Sequence, residues 1–282
     1  MNFPKIISLS SYPTLSKDSI FLMLWDKYLQ EGCRDHLVWQ SDFVKTLSNP
    51  NSDAVQVFQL AATWSINMVV GSYCFPRYVA ALASRAEQDS VRHGLLENAW
   101  DESGSHGHTS RSHFWLAVKL VRLLGLADEE IERVNPIKES TQYTDEHYRQ
   151  CASGDFGFAL GMICLIEEFT TSEFSMILKA FLRSVNKGLN IKEEDFILNG
   201  GAEYFTANIA DDERHREEMP RIVATWLHVN GVDLENEKEL HSAMTTVSAG
   251  IRHSADLRKI FFDGIYEHVT SGKTFGDMII VK

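Results

Sequence analysis

Apolar residues recur at intervals of three and four along almost the whole chain, and only six of its 282 residues are proline. This spacing is typical of amphipathic α-helices, because residues three and four apart lie on one face of a helix. The sequence therefore predicts an all-α fold, with helices at residues 17–31, 36–48, 53–72, 76–84, 88–102, 110–125, 127–133, 143–151, 155–184, 192–229 and 236–269. The helix at 192–229 is expected to break near Gly200 and Gly201.

The chain shows no sign of division into separate domains. It lacks a linker rich in proline, glycine or serine, an internal repeat and a low-complexity segment. A hydrophobic share of 44% is enough to build one substantial core. We therefore expect a single helical domain over residues 1–282, with helical extensions at about 1–50 and about 235–282 packed on it.

The overall charge argues against polyanionic partners. The formal net charge is −12, the pI is about 5.4, and no stripe of Lys and Arg is present that could neutralise phosphates. Nucleic acid is therefore not an expected partner. No apolar run reaches the roughly 18 residues that span a bilayer, and the N-terminal residues do not resemble a signal peptide. The sequence predicts a cytoplasmic protein without a membrane partner.

The four cysteines are scattered, at Cys33, Cys74, Cys151 and Cys164, and form no CxxC pair. This distribution favours neither a zinc knuckle nor a disulfide framework. Each cysteine is expected to be a small core residue.

Three stretches place acids and histidines next to strongly apolar helical surface. The first reads LLENAWDESGSHGHTSRSHFWLAVKL (residues 95–120), the second ALGMICLIEEFTTSEF and the third DDERHREEM (residues 211–219). The first contains Glu97, Asp101, Glu102, His106, His108 and His113. His113 begins an apolar amphipathic helix and is expected to point inward, whereas His106 and His108 can be ordinary loop residues.

The second stretch carries two acids on a helix that is apolar nearly all round. Such a helix is expected to be buried, and a buried carboxylate is costly unless it is paired or bound to a cation. Glu167 or Glu168 is therefore expected to have a partner.

In the third stretch, Asp212 and His215 are three residues apart and Asp211 and His215 are four apart. Either pair lies on one face of a helix and can reach one metal ion. A salt bridge is the simpler explanation for either pair alone. Together, however, the three stretches supply carboxylates and imidazoles from separate helices, a ligand set suited to non-haem iron or manganese.

Four blocks of the sequence, taken in order, resemble a known family. They are LLENAWDESG, HFWLAVKLVRLLGL, GDFGFALGMICLIEEF and AEYFTANIADDERHREEM, and the resemblance covers roughly residues 55–230. The family is that of the haem-oxygenase-like diiron oxidases and oxygenases. Its members include the chlamydial protein that forms p-aminobenzoate, alkene-forming fatty acid decarboxylases and N-oxygenases of natural-product pathways. The resemblance implies a haem-oxygenase-like helical bundle.

The resemblance also implies a set of iron ligands. A glutamate of the first block and a histidine that opens the next helix fall on Glu102 and His113. A glutamate of the apolar helix falls on Glu168, with Glu167 as the close alternative.

The last block resembles a pattern of histidine, three residues, aspartate, two residues and histidine. Asp212 and His215 match its last two positions, and both are expected to bind iron. Asn208 stands at the first position, where the family has histidine, and asparagine is a poor iron ligand. His106 or His108 can supply the missing imidazole if the segment that contains them folds inward.

The function that the resemblance implies is O2-dependent oxidation. Two Fe(II) ions are the expected cofactor and O2 the co-substrate, with a small, amino-acid-derived molecule undergoing N-oxygenation, C–C cleavage or desaturation in a biosynthetic pathway. An external electron donor and a homodimer are compatible with such a protein. Trp64, Tyr73, Phe75, Trp100 and Phe158 are candidates to line an apolar substrate pocket, although a place in the ordinary core is the simpler expectation for each.

Two other functions are compatible with the same fold. One is a metal-independent enzyme like thiaminase II or pyrroloquinoline quinone synthase, in which a thiaminase-like reaction requires Cys151 or Cys164 as nucleophile. The other is a non-catalytic helical binding protein whose polar residues form buried salt bridges.

Overall fold

The computed structural model describes Pro13 and residues 15–17, 19–104 and 112–280. The α-helices within these residues are α1 Ile20–Leu29, α2 Asp42–Ser48, α3 Ala54–Arg85, α4 Asp89–Glu102, α5 His113–Leu123, α6 Asp128–Ile131, α7 Lys138–Ser153, α8 Phe156–Leu189, α9 Glu193–Leu198, α10 Glu203–Val229 and α11 Glu237–Thr270. A π-helical turn lies at Gln30–Arg34, and 3-10 turns lie at Leu37–Gln40 and Phe275–Met278. In this part of the chain β-structure is limited to one bridge between Val134 and Ile279, so the predicted all-α fold is confirmed.

Local chemistry sets several helix ends. The side chain of Asp53 caps α3 by accepting a hydrogen bond from Gln56 N at 2.9 Å. Ser112 caps α5 in the same way, with Trp115 N as donor, so this helix begins later than the predicted residue 110. Gly200 has φ +87°, a left-handed conformation that favours glycine and separates α9 from α10. The predicted break near Gly200 is therefore confirmed.

Helix α3 continues through Pro76, so the predicted division into helices 53–72 and 76–84 is wrong. Proline inside a helix removes one backbone hydrogen bond and costs about 3 kcal/mol. Burial on both sides of Pro76 offsets this cost, because Phe75, Tyr78 and Val79 all lie in the core.

Helix α3 is also, among the described residues, the one helix long and apolar enough to cross a membrane by length and composition alone. However, 61% of its most apolar window is buried inside the protein. The helix packs against α4, α5, α7 and α8. These contacts explain why α3 is so apolar without a membrane around it.

Helices α8 and α11 pack closely along each other at the centre of the bundle. A Cβ atom at Gly161 would collide with the backbone oxygen of Val247, and a Cβ atom at Gly250 would collide with the backbone oxygen of Phe158. Glycine at both positions therefore permits the two backbones to meet. The last long helix is consequently part of the core.

Gly250→Ala is expected to lower the free energy of unfolding by about 1–3 kcal/mol, because the two helices must separate to admit the methyl group. This cost outweighs the roughly 1 kcal/mol that alanine gains in helix propensity. Urea unfolding followed by circular dichroism measures the difference. Gly276→Ala, where the nearest atom is a side-chain oxygen at 3.5 Å, is the control and should be nearly neutral. Equal stability of both variants would contradict the close packing of α8 and α11.

Candidate metal centre

Helices α4, α5, α8 and α10 bring acids and histidines together inside the bundle. Ligand atoms of Glu102, Asp212 and His215 lie within 4.8 Å of one another, and all three residues are buried. Glu102 is the last residue of α4, whereas Asp212 and His215 lie one turn apart on α10. Three of the residues predicted as ligands therefore meet at one place.

The structure brings Glu167, rather than its neighbour Glu168, to this cluster. Glu167 is 1% exposed, and its Oε2 lies 3.4 Å from Nδ1 of His215. Its Oε1 accepts a hydrogen bond from Asn98 Nδ2 at 2.7 Å. Glu168 points the other way, where its Oε1 accepts from Arg34 Nε at 3.0 Å. Consecutive residues on a helix point in directions about 100° apart, so the two acids face different ways. The structure places Glu167, the close alternative in the sequence, at the cluster and Glu168 outside it.

His113 lies beside the three-residue group and contacts it through Glu102. Its Nδ1 is 2.7 Å from Glu102 Oε2, and its Nε2 is 3.2 Å from Asp211 Oδ2. The ring is therefore held between two carboxylates, with Asp211 on the side away from Glu102. Asp211 thus backs a histidine, while Asp212 faces the cluster.

His215 has an equivalent partner. Its Nε2 lies 3.4 Å from Oδ2 of Asp101, which also accepts a hydrogen bond from Arg214. Arg214 Nη2 and His215 Nε2 lie 3.1 Å apart. Both atoms are close to Asp101 Oδ2, which can accept a hydrogen bond from each of them. When Nε2 carries the proton, Nδ1 is free to face Glu167. A carboxylate behind a histidine in this way is the usual partner of a metal-binding imidazole.

In each of the two pairs of adjacent acids, Asp101 with Glu102 and Asp211 with Asp212, one acid faces the cluster and the other contacts a histidine. On α4, Glu102 faces the cluster and Asp101 backs His215 of α10. On α10, Asp212 faces the cluster and Asp211 backs the histidine of α5. Each helix supplies one carboxylate to the cluster and one to a histidine on another helix.

Burial and mutual proximity shift the pKa values of these groups. Burial by itself would lower the pKa of His215, but the carboxylates of Glu167 and Glu102 outweigh burial and raise the pKa to about 10. Burial likewise opposes a rise at His113, whose pKa is nevertheless held well above its usual value by Glu102 and Asp211. Burial, and then the neighbouring carboxylates, raise the pKa of Asp212. The cluster therefore attracts positive charge, either as protons or as a metal ion.

The unpaired atoms of the cluster fit a metal ion. Glu167 Oε2, Asp212 Oδ2 and His215 Nδ1 are buried and have no hydrogen-bond partner among the described residues. Leaving such atoms unpaired is costly, and here they belong to residues that converge. Carboxylate oxygens and imidazole nitrogens are suitable donors for non-haem iron. The residues present therefore fit the iron that the sequence resemblance implies.

Asn208 lies on the same face of α10, one turn before Asp212, and is buried. Its side-chain nitrogen donates to the backbone oxygen of Tyr204 at 2.6 Å. The amide nitrogen is thus engaged within its own helix. The predicted alternatives His106 and His108 lie outside the described residues.

The cluster opens onto a cavity of about 40 Å³. Glu102, Asn208 and Asp212 form part of its wall. Other lining side chains include Met68, Phe75, Tyr78, Tyr143, Ile166, Phe174, Tyr204, Arg258 and Phe261, together with the polar residues Asn67, Ser72, Ser140, Thr144 and Thr170. A metal ion in the cluster would therefore adjoin a mostly apolar cavity.

Of the five aromatic residues predicted to line this cavity, Phe75 does so. Trp64 is fully buried in the core, where its Nε1 donates to Glu173. Tyr73 and Trp100 are about half exposed, and Phe158 packs on His253. Trp64 thus has the core position that was the simpler expectation. The sequence could not separate pocket from core residues, because a pattern shows that a residue is apolar but not which apolar surface it contacts.

The cysteines do not have the surroundings of a nucleophile. Burial raises the pKa of the Cys151 thiol to about 12, and burial followed by the charge of Glu167 raises that of Cys164. Neither residue lines the cavity. A thiaminase-like reaction through either thiol is therefore disfavoured.

Sequence reasoning assigned no role to Asn98, Asp101 or Arg258. Asn98 precedes Glu102 by four residues and lies on the same face of α4, a spacing that is visible in the sequence. Arg258 occupies a position on α11 whose helical neighbours are Ile251, Ser254 and Phe261, all buried or facing the cavity. An arginine at such an inward position is a signal that could have been noticed.

A family model described as iron-containing redox enzyme matches residues 62–251, about two thirds of the chain. Because this match covers more than half of the chain, the chain belongs to this family of iron-containing redox enzymes. The family resemblance predicted from the four sequence blocks is thus confirmed. A comparison with curated protein sequences finds no match.

Two solved structures are similar in fold. One is a domain of unknown function with a haem-oxygenase-like fold from Shewanella denitrificans, 16% identical, with a TM-score of 0.59 over 90% of this chain and 94% of that one. The other is a CADD-like protein of unknown function from Nostoc punctiforme, 18% identical, with a TM-score of 0.61 over 88% and 97%. At these identities the likeness establishes the fold, and the predicted haem-oxygenase-like bundle is confirmed.

Asp101→Asn is expected to weaken Fe(II) binding by about 10- to 100-fold, because the variant removes the charge that orients the ring of His215. Anaerobic equilibrium titration with Fe(II) measures the change. Asp89→Asn, an exposed acid on the same helix that pairs with Arg92, is the control. Unchanged affinity in Asp101→Asn would show that Asp101 does not position His215.

Proposed function

We propose that the protein is a non-haem iron oxidase or oxygenase that uses O2, with two Fe(II) ions held by Glu102, His113, Glu167, Asp212 and His215. The observation that supports this proposal most directly is the buried group of carboxylates and imidazoles, three of whose ligand atoms have no hydrogen-bond partner among the described residues. Its position beside an apolar cavity gives a substrate access to the same place.

Bound iron would supply the electrons that reduce O2. The residues of the chain would do the remaining work. Asp101 and Asp211 would hold the two imidazoles in fixed orientations through their outer nitrogen atoms. The apolar wall, including Ile166 and Phe174, would keep water from the reacting atoms and so favour oxidation of the substrate over side reactions.

We further propose a small, amino-acid-derived substrate that undergoes N-oxygenation, C–C cleavage or desaturation. The mostly apolar lining of the cavity, with a few polar groups, is typical of a small-molecule site. Reaction with O2 leaves the iron oxidised, so we also propose that an external electron donor returns it to Fe(II) between turnovers.

Anaerobic titration is expected to show saturable binding of about two Fe(II) per chain, the stoichiometry of carboxylate-bridged diiron proteins. Admission of O2 should then oxidise the iron and consume O2, as followed by an oxygen electrode and by a colorimetric Fe(II) assay. The alternative functions, a metal-independent enzyme and a helical binding protein, predict neither result. Absence of both saturable binding and O2 consumption would contradict the proposal.

Adjacent glutamates provide a matched pair of variants. Glu167→Gln is expected to lose about one equivalent of tightly bound Fe(II) and most O2 consumption, because it removes a carboxylate from the cluster. Glu168→Gln removes the same charge one residue later but affects only the ion pair with the half-exposed Arg34, so it should bind iron normally. The reverse result, with loss in Glu168→Gln only, would restore Glu168 as the ligand.

A further inference from the structure

The cavity beside the metal centre is smaller than the molecule that the proposed function requires. Its volume of about 40 Å³ has room for a few water molecules, whereas sites for small molecules enclose roughly 300–1,000 Å³. Some part of the wall must therefore move before such a molecule can enter.

Hydrogen bonds and ring contacts hold much of the wall in place. Tyr204 Oη and Ser72 Oγ share a hydrogen bond of 2.8 Å across the space between α10 and α3. Arg258 Nη2 donates to Tyr143 Oη at 2.9 Å, and the central carbon of the guanidinium lies 4.5 Å from the centroid of the Tyr143 ring. Moving these side chains would break contacts inside the core, so they are poor candidates for the movable part.

Met68 and Gly71, one turn apart on α3, differ from the rest of the wall. Among the described residues that line the cavity, these two are partly exposed and the others are buried. A Cβ atom on Gly71 would lie 3.3 Å from Cε and 3.5 Å from Sδ of Met68. The tip of Met68 therefore covers the place where Gly71 has no side chain. Because methionine is unbranched and has three rotatable side-chain bonds, its tip can leave this place easily.

The glycine itself indicates that space is needed here. Gly71 lies in the interior of α3, where glycine is less favourable than alanine. At Gly161 and Gly250 a Cβ atom would collide with the backbone of a neighbouring helix, but at Gly71 it would meet only the flexible end of Met68 among the described residues. Close packing of helices therefore does not explain Gly71, whereas free space beside the cavity does.

We propose that Met68 and Gly71 set the size of the molecule that the cavity admits, with the tip of Met68 turning away and an apolar part of the molecule lying against Gly71. Met68 then governs entry and fit and takes no part in the chemistry. Identifying this molecule as the substrate rests on the proposed function, whereas the effect of the two residues on binding does not.

A neutral probe with one aromatic ring tests the proposal. 4-Fluorobenzyl alcohol is titrated into the full chain with bound Fe(II) and without O2, and binding is followed by fluorine NMR. Met68→Ala should bind the probe about 10-fold more tightly than the native chain, because apolar space freed by truncation admits small apolar molecules. Paramagnetic Fe(II) should broaden the signal of the bound probe relative to a chain loaded with Zn(II), which places the probe beside the metal. Met23→Ala, at an exposed methionine, is the control and should bind as the native chain does.

A second substitution separates a size limit from a change in stability. Met68→Ala combined with Gly71→Ala should bind the probe about 10-fold more weakly than Met68→Ala alone, because the added methyl group occupies the freed space. The urea midpoint of the double variant should nevertheless be the higher of the two, since alanine is the better helix former. Loosening of α3 would instead lower the midpoint. Gly71→Ala alone should bind more weakly than the native chain, which keeps the proposal testable if Met68→Ala does not fold.

Several outcomes would overturn the proposal. They are equal affinity in the native chain and Met68→Ala, no binding to Met68→Ala, or no loss of affinity on adding Gly71→Ala. A bound probe whose signal Fe(II) does not broaden would lie elsewhere in the protein and likewise overturn it. A chain that binds no Fe(II) but shows the expected order of affinities would contradict the proposed function alone.

Discussion

The burial of three carboxylates at one place is the constraint on which the rest of the structure depends. Glu102, Glu167 and Asp212 come from three helices, and their mutual repulsion would push those helices apart unless positive charge or hydrogen bonds opposed it. Two histidines provide part of that compensation, and their raised pKa values show how strongly the carboxylates attract protons. A protein that only needed a stable core would be better served by apolar residues at these positions. The cluster therefore indicates a function that requires a cation, in agreement with the family to which the chain belongs.

The supporting residues show how the bundle keeps this cluster in place. Asp101 and Asp211 each sit next to a cluster carboxylate in the sequence, yet each turns to a histidine on another helix. Because adjacent residues on a helix point in different directions, one short acidic pair can serve both purposes. The crossed contacts tie α4, α5 and α10 together through polar groups, while the glycine contacts between α8 and α11 fix the apolar side of the same bundle. A shift of any one helix would thus alter both the carboxylates and the orientation of the imidazoles.

The sequence predicted the helices and the residue types of the site better than it predicted the directions in which the side chains of the site point. We could infer that Asp212 and His215 share one helix face and that His113 points inward, because the apolar residues of an amphipathic helix show which face is buried. The choice between Glu167 and Glu168 could not be inferred, since the stretch of α8 that precedes them, FGFALGMICLI, is apolar nearly all round and has no polar face to set its rotation. Long-range contacts decide it: Asn98 binds Glu167, and Arg34, at the end of a π-helical turn, binds Glu168. The continuation of α3 through Pro76 was missed for a similar reason, because tertiary burial outweighed a local signal.

The last long helix has a larger part in the site than its place at the end of the chain would indicate. Helix α11 contributes Gly250 to the closest helix contact and Arg258 to the cavity wall, two turns apart on the same helix. Arg258 is linked to α7 through Tyr143 and to α8 through Glu173, which is itself bonded to Trp64 of α3. The guanidinium is therefore positioned by the same packing that brings Glu167 of α8 to the carboxylate cluster. The wall of the cavity therefore combines the acids Glu102 and Asp212 with one buried cation, and the packing of α11 sets the charge of this wall as well as its shape.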